Sequence, residues 1–392
     1  MSRFLFVVPP FVGHVTPLLA VAERLRRDGH HVGWTGITAS VAHLIDDDAP
    51  RYPRTDRPRQ DTPVHRPAEL RGFAALKFLW EEVLAPLTER MVPLVRQAVD
   101  EFGPDVLVVD QQALAGALVA EQAGLPWATS ATTSSELVSP LAGMPKLEAW
   151  LDGLLTGLRA RFGDPTAIGD PRFSPHLVLA FSTAALVGEV TSNVRFVGPS
   201  IGARQDDNTG FPWQELDAER GLVLVTLGTA NAEVGDRFLG ESARALAELS
   251  DRVRGVVVDP AGNVAPVGDV LVLPRVPQLN VLARCAAVVC HGGHNTVCEA
   301  LNAGVPLVVA PIRDDQLIVA QQVVDAGAGV RLRFGRTTAD QLRTAIETVL
   351  DDPGYAAGAR RIKQSFSAAG GADTAATLLA DLAAGAAGRP RA

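Results

Sequence analysis

The chain has 392 residues and a formal net charge of −8, with 36 basic and 44 acidic side chains interspersed along it. At about 100–200 residues per domain this length supports two or three domains, two being the simpler division. Neither a basic nucleic-acid footprint nor a cationic membrane face is present, which leaves a small molecule as the expected partner.

The opening places Arg3 before an apolar run, but Pro9 and Pro10 stop that run, and no small-residue cleavage site or long apolar span follows. It reads as a first strand, Phe4 to Val8, with no signal peptide or transmembrane segment expected. A turn from Pro9 to His14 and a helix from Pro17 to about Arg27 come next. Thr16 suits the N-cap, Pro17 the first helical position, Leu18, Ala22 and Leu25 one apolar stripe, and Gly29 the stop. Val32 to Trp34 completes a βαβ opening. His14 thus stands at the carboxyl edge of a parallel sheet, where ligands bind, and an imidazole with an ordinary pKa of ~6.5 suits a base that takes a proton from a hydroxyl. A histidine that only caps the following helix is the plainer alternative.

Between Pro50 and Pro67, prolines alternate with arginines, the mark of a loop that is either a surface insertion or a carrier of binding specificity. Helical patterns run from Phe73 to Val99 and from Leu147 to Leu158. Leu76, Leu79, Trp80 and Leu84 fit a core stripe best, with an apolar acceptor pocket as the second reading. Strands are expected at Val106 to Val109, Trp127 to Ser130, Leu177 to Phe181 and Val194 to Val197, with a helix from Ala113 to Gln122 closed by Gly124. Asp110 ends its strand at the same carboxyl edge as His14. A carboxylate bonded to one imidazole nitrogen would fix the tautomer and stabilise the imidazolium, so a His14–Asp110 dyad is expected, against a helix N-cap role for Asp110. Glu82, Glu136 and Asp170 are weaker candidates.

Asp206 to Pro212 is polar and turn-rich, so residues 206–215 read as a linker between a first domain, 1–205, and a second, 216–373. The second half repeats the alternation. Its strands are Leu222 to Thr226, Arg254 to Val258, Val270 to Leu273, Ala286 to Cys290 and Pro306 to Ala310. Helices lie at about Arg237 to Leu249, Leu279 to Arg284, Asn295 to Asn302 and Asp315 to Ala326. Thr338 with Gln341 opens another by a capping box that runs to Leu350, and Ala383 to Ala392 reads as a frayed end. Strand–helix alternation makes this an α/β chain with parallel sheets. Thr226, Gly228 and Thr229 form a turn able to present N–H groups and hydroxyls to an anion. Cys285, Cys290 and Cys298 lack metal-ligand spacing, so reduced core thiols in a cytoplasmic protein are expected, with no metal site.

The densest stretch is 286–316. After strand Ala286 to Cys290 come His291, Gly292, Gly293, Asn295 and Thr296, and the helical pattern Val297, Ala300, Leu301 follows. Glycines permit close backbone approach, and a helix N-terminus favours phosphate. Glu299 stands about one turn beyond Thr296, placed to accept hydrogen bonds from a vicinal diol such as ribose. This pattern, His291-x-Gly293-x-Asn295-Thr296-x-x-Glu299 continued to Pro311 and Asp315-Gln316, resembles the donor signature of the inverting nucleotide-sugar glycosyltransferases, which include plant natural-product and bacterial antibiotic and carotenoid enzymes.

The resemblance implies the GT-B fold: two facing Rossmann-like parallel-sheet domains with an interdomain cleft, and a C-terminal segment, 374–392, returning to the first domain. It makes His14 the general base, Asp110 its partner, and Asp315 and Gln316 holders of sugar hydroxyls. Val276-Pro277-Gln278 resembles the segment that holds the nucleobase. Arg275 and His294 stand where plant members have tryptophan, and a guanidinium can also stack on a base. Asn295 and Glu299 favour a UDP-sugar over a dTDP-sugar, which stays allowed. The implied activity is metal-independent, inverting transfer of a hexose to a hydroxyl of an apolar polyketide, macrolide or carotenoid-like alcohol, with no cofactor beyond the nucleotide sugar. A homodimer is allowed. A catalytically silent sugar-nucleotide-binding homologue and a sugar-nucleotide epimerase are the alternatives.

Overall fold

The computed structural model describes residues 1–54, 60, 67, 70, 72–138, 141, 143–190, 193–201, 210–216, 219–228 and 235–387. Thr229, most of the Pro50–Pro67 loop and the first part of the linker lie outside them. The chain forms two compact units, one gathering Met1–Ser182, Glu189–Ala203 and Ala369–Ala392, the other Thr183–Gly188 and Arg204–Ala368.

In the first unit six parallel strands, β1 (Arg3–Val7), β2 (His31–Thr35), β3 (Val106–Asp110), β4 (Trp127–Ala131), β5 (Leu177–Ala180) and β6 (Val194–Phe196), lie in the order β2-β1-β3-β4-β5-β6. Side chains alternate across a strand, so Phe4, Phe6, Val106 and Val108 meet the helices Val12–Arg27 and Gly371–Ala387. Leu5, Val7, Leu107 and Val109 meet Ala85–Phe102 and Leu114–Ala123 on the other face. Covering both faces explains why these strands read as continuous apolar runs.

The first helix departs from its sequence signals. It begins at Val12, with Phe11 as an N-cap that makes no side-chain bond, and Thr16 Oγ1 donates to the Val12 carbonyl at 2.8 Å inside the helix. The Thr16 cap and the Pro9–His14 turn are therefore wrong. Pro17 lies so near the start that its missing N–H removes a single bond of the second turn. The Phe73–Val99 pattern is helical but includes a wider π stretch, Leu79–Leu84, between Gly72–Phe78 and Ala85–Phe102. Trp80 and Leu84 are buried there against Leu114, Leu118, Leu151 and Leu155, which makes them core.

The second unit repeats the plan with β7 (Gly221–Thr226), β8 (Val253–Val258), β9 (Leu271–Leu273), β10 (Cys285–Cys290), β11 (Leu307–Val309) and β12 (Gly329–Arg331), ordered β12-β11-β10-β7-β8-β9 and all parallel. The capping box is present: Gln341 N donates to Thr338 Oγ1 and Thr338 N to Gln341 Oε1. The short strand β12 and the helix Pro353–Ala369 have no counterpart among the sequence expectations. The terminal helix runs on to Ala387, so the start of the Ala383–Ala392 tail is ordered helix.

In both sheets the winding reverses once, between β1 and β3 and between β7 and β10. Such switch points open a crevice at the carboxyl ends of the strands.

Candidate active site

At the first switch point the loop after β1 enters the helix Val12–Arg27, whose first turn carries His14, while β3 ends in Asp110. His14 Nδ1 lies 2.9 Å from Asp110 Oδ1, and the Asp110 side chain is fully buried while that of His14 keeps 17% exposure. Asp110 also accepts from the Gln112 backbone at 2.9 Å, and the helix that follows is capped by Ala113, so Asp110 is not its N-cap. Thr132, just past β4, completes the cluster. Its Oγ1 donates to Asp110 Oδ2 at 2.8 Å and lies 2.9 Å from His14 Nδ1. Because the single hydroxyl proton goes to the carboxylate, Thr132 can only accept from the imidazole. The Nδ1 proton is therefore shared between Asp110 and Thr132, and Nε2 carries the lone pair, the form a base requires.

Thr132 had no signal in the sequence, since only the pairing of Asp110 with Ser130 across β3 and β4 brings it alongside. The weaker candidates gather elsewhere or face solvent. Glu136 and Asp170 both bind Arg172, at 2.7 and 2.6 Å, and Glu82 is exposed. Burial raises the pKa of Glu136, with Arg172 opposing it and the neighbouring Asp170 and Asp110 carboxylates adding to it.

At the second switch point β7 ends in Thr226 beside Cys290 of β10, so the turns that follow the two strands meet. Gly228 N donates to Thr226 Oγ1 at 3.4 Å. The His291 ring is wedged between Gly228 and Gly293: an added Cβ would lie 2.8 Å from its Cε1 at the first and 2.4 Å from its Nε2 at the second. Burial, helped by the Arg313 cation, lowers the His291 pKa to about 4, against a hydrogen bond to the Thr226 backbone, so the ring is neutral at pH 7. Its Nδ1 has no partner among the described residues. Gly293 caps the helix His294–Ala303 with no side-chain bond, and Asn295 and Thr296 lie in its first turn.

Farther along that helix Glu299 is buried and accepts from Gln278 Nε2 at 2.6 Å. Gln278 opens its own short helix after Val276 and Pro277, whereas Arg275 is exposed. Gln316 turns its Oε1 inward to the Ile312 and Arg313 N–H groups, at 2.8 and 3.0 Å, which fixes the acidic turn and leaves its amide N–H₂ for other partners. Asp315 sits at the N-cap of the helix Gln316–Asp325 without a side-chain capping bond. Gly292 lies against the Gln316 carbonyl, which holds the His291 and Asp315 turns side by side. Arg313, whose charge acts on His291, was not picked out from the sequence although it directly precedes the acidic pair. Burial pushes the Cys290 thiol up to about 12, so it is no nucleophile at neutral pH.

A histidine–aspartate pair thus sits at one parallel-sheet switch point, and a glycine-lined turn with a helix N-terminus and a buried carboxylate at another, in a two-sheet α/β chain. Residues 244–380 match the family model for the erythromycin biosynthesis protein CIII-like C-terminal domain. The chain is similar to the demethyllactenocin mycarosyltransferase of Streptomyces fradiae, at 30% identity over 97% of this chain and 87% of that one. It is also similar to the 4'-demethylrebeccamycin synthase of Lentzea aerocolonigenes, at 29% identity over 94% and 96%. The solved glycotransferase of kitacinnamycin superposes with a TM-score of 0.79 and 26% identity, over 97% of this chain and 98% of that one. The chain belongs to the natural-product glycosyltransferases of the GT-B fold and is an enzyme that moves a sugar from a nucleotide to a small molecule.

Proposed function

We propose that the chain is an inverting O-glycosyltransferase in which His14 is the base, supported above all by the His14–Asp110–Thr132 cluster. The acceptor hydroxyl loses its proton to His14 Nε2 as its oxygen bonds to the anomeric carbon. The bond from that carbon to the diphosphate breaks, and the nucleoside diphosphate leaves with the electron pair from the opposite face. Asp110 holds the imidazole and stabilises the imidazolium. The N-terminus of the helix His294–Ala303, Thr296, the backbone after Thr226, His291 and Arg313 would offset the charge that develops on the leaving group. Asp315 and the Gln316 amide group would hold the sugar, Glu299 the ribose, and Val276 and Gln278 the base.

The reading takes a UDP-sugar or dTDP-sugar as donor and needs no metal. Its acceptor is an apolar natural product. Phe73, half exposed and edge-on to Trp150 at 5.5 Å, and exposed Met144 supply apolar surface in the first unit, and the relatives are named for natural products. The reading places the enzyme in the cytoplasm, where Cys285, Cys290 and Cys298 would stay reduced.

The deciding experiment replaces His14 by Ala and measures turnover and nucleotide binding separately. Turnover should fall by about 10²–10⁴-fold with nucleotide affinity unchanged. Turnover retained at saturating donor would remove His14 as the base. Product analysis with and without a hydrophobic alcohol separates transfer from epimerisation and from silent binding.

A further inference from the structure

We propose that the bond between Arg172 and Glu136 positions Thr132, and through it the His14 base, by holding the far end of the buried segment after β4. The inference rests on the base cluster proposed above. Thr132, Thr133, Ser134 and Ser135 are each 6% exposed or less, and they run from the end of β4 at Ala131 into a short 3₁₀ turn, Ser135–Val138. Strand register fixes one end of this segment. Glu136, in the turn, fixes the other, where its Oε2 accepts from Arg172 Nη1 at 2.7 Å.

Arg172 is itself held from three directions. Asp170 accepts from its Nε at 3.0 Å and its Nη2 at 2.6 Å. The Arg172 carbonyl accepts from Thr129 Oγ1 at 3.1 Å, which stitches it to the middle of β4. The guanidinium lies 5.7 Å from the centre of the Trp80 ring in the π stretch. One planar fork thus joins β4, the segment ahead of β5 and Leu79–Leu84 to the loop that carries Thr132. Stability alone does not call for such a device. Two carboxylates share one guanidinium, burial opposes the Glu136 charge, and apolar residues of similar volume often serve stability as well or better. What the fork adds is direction. The Thr132 hydroxyl must meet Asp110 Oδ2 at 2.8 Å and His14 Nδ1 at 2.9 Å, an arrangement that tolerates displacement of only about 0.5 Å.

The test uses Glu136→Leu, which leaves Arg172 with Asp170 and so strands no buried cation. Turnover at saturating donor and acceptor should fall about fivefold, the order of one hydrogen bond, with both KM values little altered. Glu136→Gln removes the charge but still accepts from Arg172, and should recover most of the loss. Because the pair acts through Thr132, adding Glu136→Leu to Thr132→Val should cost less than about twofold. Glu136→Met, which keeps the length, makes the same comparisons if the leucine variant does not fold. Glutamine and leucine variants that match each other, whether slow or at the parent rate, would overturn the inference. So would a full fivefold loss in the Thr132→Val background, or a rise in acceptor KM with kcat unchanged, which would make Glu136 an acceptor contact. A Thr132→Val variant that turns over like the parent would instead overturn the base-cluster reading beneath it.

Discussion

The proton on His14 Nδ1 is governed by two residues, and the second, Thr132, is the testable addition. With Thr132→Val the carboxylate loses its Oδ2 donor and the imidazole loses one of its two acceptors, while side-chain volume barely changes. Turnover should drop about tenfold, the order of one hydrogen bond, with the acceptor KM little altered. Thr132→Ser should restore most of it, and a serine variant as slow as the valine one would mean that the methyl group is what matters. His291 poses a different question because its pKa of about 4 lies below that of an unfolded chain. Between roughly pH 6.5 and 4 the unfolded state takes up a proton that the folded state refuses, so stability is lost as pH falls through that window, by up to about 3 kcal/mol. Melting curves should show His291→Asn less sensitive to acid than the parent over that range, and parallel curves would contradict the buried, neutral ring.

At the scale of elements, the turn proposed to hold the donor depends on two strands ending side by side and on glycines that let His291 lie against both turns. In Gly293→Ala the new Cβ would fall 2.4 Å from the His291 ring, so the ring must move away from the turn after Thr226. Nucleotide affinity should fall by at least tenfold with the fold retained, as judged by titration and melting, because the loss falls on the cradle and not the core. Unchanged affinity would free His291 from any part in the donor site. The same elements mark what the sequence can and cannot tell. Doubly covered strands such as Val106–Asp110 and Cys285–Cys290 announce themselves as apolar runs. Helix starts do not: Thr16 and Pro17 carry every mark of a cap, yet the Phe11 carbonyl already accepts from His14 N and Val15 N. Strand β12, of three residues and paired on one side only, is too short to show a period.

Across the whole molecule the site is legible where one segment carries it or where a residue marks the carboxyl end of an apolar strand, as His14 and Asp110 do. His291 to Glu299 and Asp315-Gln316 could be read as a unit because spacing along the chain decides their geometry. Thr132, Arg313 and the Gln278–Glu299 bond could not, since each depends on register or on a neighbouring element. That division bears on how the leaving diphosphate is stabilised. Among the described residues no cluster of three or more histidine, cysteine, aspartate or glutamate side chains could hold a metal, whereas the second unit gathers Arg313, Thr296, a glycine turn and a helix N-terminus around one switch point. If those fixed donors carry the developing charge, transfer should run at the same rate after dialysis against EDTA and should gain less than about twofold from added Mg²⁺. Arg313→Leu should then lower turnover more than it lowers affinity for the intact donor, because the negative charge on the leaving oxygen grows only as the sugar departs. An EDTA-treated enzyme that needs a divalent ion to recover would assign that charge to a metal and leave Arg313 a bystander.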